Sequence, residues 1–350
     1  MPSRRMTNLL ASIVVSTVVG FASHCALSRQ GEKLLGAVGE SSVGPPTLRV
    51  SYAGISPRAA ASLTVQAGHE ERVRVAIWRR HTTGERTEVT APAEHAESAE
   101  SGVDRAELPE GLAASEGGGS GLKELSMGLR APPDSEREAS LLVRLRVREA
   151  DVDTVTLAWD VRTAEVVGAS DAAWDESVER AGAMKGATRL HRSGLPVEAS
   201  VKGARRGDEL AILLGRLMAE PGPVRPEEPL GHGAIWEVER EQTDGGVVTR
   251  QTERYEVVDT PPDGLRLRLR ESGTLLAGAL DRGTALQAFE PTVDRYEAVG
   301  RGELAWRTDR IAVEGSVDAR TVVQTTLSYG PSTMGLATTT ELGLTLTPEP

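Results

Sequence analysis

Few residues in this chain have the type and spacing that chemistry requires. Six histidines stand at positions 24, 69, 81, 95, 191 and 232, and no two of them have metal-ligand spacing. The string "HEERV", from His69 to Val73, lacks the second histidine of a zinc-binding H-E-x-x-H helix. No serine lies in G-x-S-x-G, the tight turn that exposes a nucleophile. "GRGELA", Gly300 to Ala305, matches G-x-G-x-x-A, but it leads into a strand pattern, whereas a dinucleotide needs a helix N-terminus. Asp151 and Asp153 are paired acids with no partner for acid–base work. The single thiol, Cys25, allows neither an intrachain disulfide nor a cysteine metal site. These residues predict a chain that is not an enzyme and carries no cofactor. A hydrolase whose site is assembled from distant residues is the remote alternative.

Cys25 closes an apolar run. Arg4 and Arg5 precede it, and no charged residue occurs from Met6 to Ser28. The strongly apolar part, Leu9 to Ala22, has 14 residues. That is the length of a secretory h-region and shorter than the roughly 20 residues of a membrane span. The segment resembles a bacterial lipoprotein signal, in which small residues lead to the cysteine that receives lipid. Ala22 and Ser23 fit that pattern; His24 is larger than the residue usual there. The resemblance implies Cys25 as a lipidated mature N-terminus. Cleavage near Ala22 or Ala26, and retention as an anchor, stay open. Residues 1–27 are therefore expected to be a signal peptide or N-terminal anchor. The body is expected to be exported, to the periplasm or the outer surface, and attached to a membrane through lipid or anchor.

Charge narrows the partners. The net charge is −11, and −14 once Arg4, Arg5 and Arg29 are set aside. Ala93 to Glu138 holds eleven acids and four bases, with "EGGGSG" and "APPDSE" and hardly any large apolar side chain. Such a composition cannot bury enough surface to offset chain entropy, so residues 93–138 are predicted to be a disordered acidic loop. Residues 28–46, "SRQGEKLLGAVGESSVGPP", predict a tether. No basic stripe interleaved with aromatics occurs, so nucleic acid is not an expected partner.

The remaining sequence alternates with period two. Val73, Val75 and Ile77 alternate with arginines, as do Val143, Leu145 and Val147, and Leu265, Leu267 and Leu269. Val155, Leu157, Trp159 and Val161 share another face. One apolar and one charged face predict an antiparallel sheet half in water. The arginine rows read as a solvated face, with Glu149, Glu253, Glu256 and Glu271 as acid partners across strands. "TDGG" at Thr243, "PPDG" at Pro261 and Thr308-Asp309-Arg310 are turn signals. Two helices are predicted. One starts at the cap Asp208 with a Leu210, Leu213, Leu214, Leu217 stripe; the other starts at Asp171 with Trp174, Val178 and Ala181. Between them a hairpin turns at Ser193-Gly194. The predicted fold is α+β and predominantly antiparallel β: long twisted sheets, a meander or half-open barrel, with one or two helices packed on them. The predicted organisation is an N-terminal strand-rich half, 47–205, and a helix plus C-terminal β half, 206–350.

One string carries a resemblance. Pro226, Pro229, Leu230, Gly231, Gly233 and Trp236 stand as P-x-x-P-L-G-x-G-x-x-W, after an amphipathic helix and before paired strands. This resembles a recurrent motif of uncharacterised bacterial secreted and lipoprotein-type envelope proteins. The resemblance implies an envelope protein with a strand-rich domain, and it carries over no catalytic residue. Physically, the prolines fix an extended approach, the glycines allow a tight bend, and Trp236 covers the turn. The expected function is a non-catalytic cell-envelope protein of unknown specific role that binds a lipid or other apolar ligand. The alternative is a scaffold or assembly lipoprotein that binds other envelope proteins.

Overall fold

The computed structural model describes residues 42–43, 46–59, 62–85, 135–204, 208–244, 247–278, 290–329 and 332–349. The chain begins with three short strands, β1 (Ser42–Val43), β2 (Thr47–Tyr52) and β3 (Ile55–Ala59). Three long ones follow, β4 (Glu70–Glu85), β5 (Ser135–Ala150) and β6 (Thr154–Val167). Helix α1 (Ala172–Ala181) leads to the hairpin β7 (Lys185–His191) and β8 (Pro196–Lys202), and then to helix α2 (Glu209–Ala219). The rest is strands: β9 (Leu230–His232), β10 (Ile235–Asp244), β11 (Val247–Asp259), β12 (Gly264–Ala277), β13 (Glu290–Arg307), β14 (Glu314–Tyr329) and β15 (Ser332–Glu349).

Thirteen of these strands form one antiparallel sheet, and β3 pairs with β9 apart from it. From β10 to β15 each strand pairs with the next, and so do β4 to β8. The two series are joined where β15 pairs with β4, along Leu336–Glu349 and Glu85–Arg72. β1 and β2 both pair with β10 and share one edge; β8 forms the other edge, so the sheet is open. The alternation in sequence is the cause of this arrangement. Its apolar positions, including Val75, Leu141, Val155, Val257 and Leu269, are buried in one continuous core, and the arginines between them face water. Inner faces from both series meet in that core, so the sheet wraps around it, as the predicted half-open barrel requires.

The helices sit where their apolar stripes direct them. Asp208 caps α2 by accepting from Ala211 N at 3.3 Å, and Asp171 caps α1 by accepting from Trp174 N at 2.8 Å. Leu210, Leu214 and Leu217 of α2 and Trp174 and Val178 of α1 are buried in the shared core. α2 packs against α1, β7 and β8. The cap of α2 is also tied to α1: Asp208 accepts from Ser177 Oγ and, at 2.8 Å, from Arg180 Nε of α1.

Several expectations need correction. The acidic stretch does not extend to Glu138, because Ser135 to Glu138 already belong to β5, where Glu138 lies opposite Trp78. Residues 93–134 lie outside the described residues. The expected tether, 28–46, ends in structure: Ser42 and Val43 pair with Thr243 and Gln242 of β10, whose edge is open there. The halves 47–205 and 206–350 share one sheet, since β2 lies on β10 and β4 lies on β15, which leaves their division as halves unchanged. Of the four acids expected to face the arginine rows, Glu256 does so, with Arg268 at 3.1 Å. Glu253 and Glu271 are buried on the inner face instead.

Candidate functional site

Glu253 leads to a charged cluster in the interior. Four inward positions of β10 are Trp236, Val238, Arg240 and Gln242, all buried. Because the period is two, the arginine enters the same interior as the tryptophan. On β11, Gln251, Glu253, Tyr255 and Val257 follow the same parity. Arg240 Nη1 donates to Glu253 Oε1 at 2.6 Å, and Arg240 Nη2 donates to Glu220 Oε1. Tyr255 Oη donates to Glu253 Oε2 at 2.8 Å. Glu220 is the C-cap residue of α2, so this cluster pins the end of the helix to two strands of the sheet. The charged side chains are 1 % exposed for Arg240 and 3 % for each glutamate.

The charges do not cancel. One guanidinium faces two carboxyls. Burial pushes the pKa of both carboxyls above the ordinary range, and for Glu220 the charge of Glu253 adds to this; Arg240 opposes the rise in both. Burial also raises the Tyr255 phenol, helped by the charge of Glu253. For Arg240, burial works against the charge, but Glu220 and Glu253 outweigh it and its pKa rises. Burial therefore favours the protonated form of these carboxyls more than it would for exposed glutamates. A second buried cation, Arg225, stands 4.0 Å over the ring of Trp306 and donates to Arg192 O at 2.9 Å; burial lowers its pKa to about 9.

The P-x-x-P-L-G-x-G-x-x-W string frames this cluster from the apolar side. Trp236 Nε1 donates to Val224 O at 2.9 Å, and its ring stacks on Tyr255 with centroids 5.1 Å apart. Gly231 sits on β9 so close to β3 that a Cβ there would lie 2.0 Å from Ile55 O. Gly233 has φ 77°, a left-handed turn that ordinary side chains resist. Pro226 is buried and Pro229 exposed. Thus Trp236 braces Tyr255, Tyr255 binds Glu253, and Glu253 holds Arg240.

Other residues singled out by type do not converge. Cys25, His24 and His95 lie outside the described residues. His69 bonds Glu71 at 2.6 Å, and Glu71 accepts from Ile311 N at 2.8 Å, which fastens the β13–β14 connection to β4. His81 contacts Thr340 Oγ1 at 3.0 Å; burial, with Arg79 and Arg137 nearby, lowers its pKa to about 4. Among the described residues no group of three or more His, Cys, Asp or Glu could hold a metal ion. Gly300 to Ala305 run through the middle of β13. Asp151 and Asp153 are exposed at the β5–β6 turn. No helix among the described residues is long and apolar enough to cross a membrane.

No protein-family model, curated protein or solved structure matches the chain.

Proposed function

We propose that this chain is a non-catalytic envelope protein, held at a membrane through Cys25 or its apolar N-terminal run, that acts as a scaffold for other molecules. The observation that carries this reading is the packing of both helices into the core on the concave side of the sheet. Leu210, Leu214 and Leu217 of α2 lie in the same core as the inner faces of β4 to β6 and β10 to β15. The Arg240 cluster then locks the helix end in place. Where the chain's own helices occupy the concave side, recognition falls to the outer surface. The charged cluster is shielded from solvent, so it supports a structural rather than a reactive role.

A second reading, carriage of an apolar ligand, is favoured by one observation: only the two short helices, packed together beside β6 to β8, cover the concave side among the described residues. A ligand would have to displace them. Native mass spectrometry of protein extracted from its own envelope tests both readings. A co-purifying protein supports the scaffold; a stoichiometric lipid inside the folded chain overturns it in favour of the carrier. An unmodified full-length chain, or a mature chain starting after Cys25, removes lipid attachment at that residue.

A further inference from the structure

The outer face of β4 to β8 carries more bases than acids. On β10 to β12 several outward arginines are neutralised across strands: Arg254 faces Glu237 at 3.8 Å, Arg250 faces Glu241 at 2.9 Å, and Arg268 faces Glu256 at 3.1 Å, although Arg254, Arg270 and Arg301 also stand in register with one another there. On β4 to β8, Arg144 and Arg162 share Asp160, each at 2.8 Å. Arg72, Arg146, Arg148, Lys185, Arg189 and Lys202 are exposed and form no ion pair among the described residues. Two pairs of like charge stand directly opposite one another, Arg72 with Arg144 and Lys185 with Lys202. Directly opposed like charges cost stability in a sheet, and a free surface gains nothing from them. With Arg74 and Arg80, which pair with Glu349 and with Glu136 and Glu341, the face carries ten bases against seven acids, Glu70, Glu136, Glu138, Glu149, Asp160, Glu165 and Glu198, in a chain whose net charge is −11. Glu149, Asp151 and Asp153 mark where the basic surface stops, at the β5–β6 turn.

The middle of the face is flat. Arg146, Ala158, Ala187 and Ser200 lie opposite one another in turn across β5 to β8, so small side chains sit between the bases. Beside them, Glu70, Arg72, Leu142, Arg144 and Arg162 line a shallow cleft of about 400 Å³. No exposed aromatic side chain stands among these bases for nucleobases to stack on. A basic surface with short side chains between its charges and a shallow cleft beside them fits a layer of phosphate headgroups.

We infer that the outer face of β4 to β8 docks on an anionic phospholipid surface through Arg72, Arg146, Lys185, Arg189 and Lys202. The inference rests on the envelope reading above for its choice of partner. It is testable apart from the N-terminal attachment, because substitutions on β5 and β7 leave Arg4, Arg5 and the apolar run intact. Polybasic surfaces gain attraction to anionic leaflets, and that gain falls with salt.

The test measures partition of the full chain onto phosphatidylcholine vesicles and onto vesicles with phosphatidylglycerol added. The ratio of the two partition constants is expected to be about tenfold or more at low salt and to approach one at high salt, as electrostatic attraction does. Arg146→Glu, Lys185→Glu and Arg189→Glu together should remove the preference and leave binding to phosphatidylcholine vesicles unchanged. Should the triple reversal melt early, Arg146→Gln with Arg189→Gln should still lower the ratio at an unchanged Tm. A ratio near one in the native chain, or a preference that survives the substitutions, overturns the inference. Binding of DNA or of an acidic protein in place of the vesicles overturns it as well. Failure of the N-terminal attachment shows differently: binding to phosphatidylcholine is lost while the preference for anionic vesicles persists.

Discussion

Arg240 has to satisfy two carboxyls with one charge. Removing one partner of a buried ion cluster leaves the others uncompensated, at a cost of about 3–5 kcal/mol. Arg240→Met should therefore lower stability by about that amount in urea unfolding. The same substitution in a Glu220→Gln, Glu253→Gln background should cost much less, because no unpaired carboxylate remains. A similar loss in both backgrounds would assign the effect to packing alone. The pH profile follows from the directions of the shifts. Both carboxyls have raised pKa values in the folded chain. The folded state therefore holds a proton that the unfolded state has released. That contribution is complete below the ordinary carboxylate pKa and is lost as pH rises through the raised folded value. His81 acts in the opposite direction. Its folded pKa is lowered from 6.5 to about 4, so its neutral form contributes stability above 6.5 that is lost as pH falls toward 4. Glu220→Gln should flatten the decline with rising pH above the ordinary carboxylate range and His81→Gln the acid one, both read as Tm against pH. An unchanged slope on that rising-pH side in Glu220→Gln would show that Glu220 contributes no proton linkage.

At the level of elements, α2 joins the apolar core to this charged cluster. Leu214 is fully buried, so Leu214→Ala should cost about 2–5 kcal/mol, the usual loss for a large buried side chain. Less than about 0.5 kcal/mol would mean that the helix is not held against the core. Its cap has a second task, because Asp208 also receives Ser177 and Arg180 of α1. Asp208→Ala should thus cost more than the roughly 1 kcal/mol of a lone cap, and Arg180→Ala should cost less in that background than in the native chain. Much of this was legible in sequence. The caps at Asp171 and Asp208, the leucine stripe, the hairpin at Ser193-Gly194 and the apolar parity of each long strand follow from local pattern. The charged interior followed from the same parity: Glu253 is two residues from Tyr255, and Glu271 two from Leu269. A rule that sends charge to water misplaced them, although position in the pleat decides which way a side chain points. Arg240, two residues beyond Val238, was hidden in the same way. Its partner Glu220 was not readable at all, because no local pattern tells where the end of a helix meets a strand.

The least legible feature is also the one that governs the whole molecule. Parity fixes which side of each strand is buried, but not which strands are neighbours. Consecutive pairing would predict two sheets, one from each half. The structure instead inserts β15 between β14 and β4, so the last strand of the chain is central in the sheet. Both halves contribute inner faces to one core, from Val75 and Leu141 to Leu267 and Trp306. Neither half has a complete hydrophobic face without the other. Unfolding should therefore be a single transition, with tryptophan fluorescence and far-ultraviolet circular dichroism giving coincident curves. Pairing residues this far apart in sequence also predicts slow folding, since loop closure precedes the contacts that reward it. Deletion of Ser332 to Glu349 tests the point most directly. It would unpair both β14 and β4 and open the core along its length. The expected result is loss of cooperative unfolding throughout the chain. Two independent melting transitions in the native protein, or a cooperative fold in the chain that lacks β15, would show that the halves stand alone.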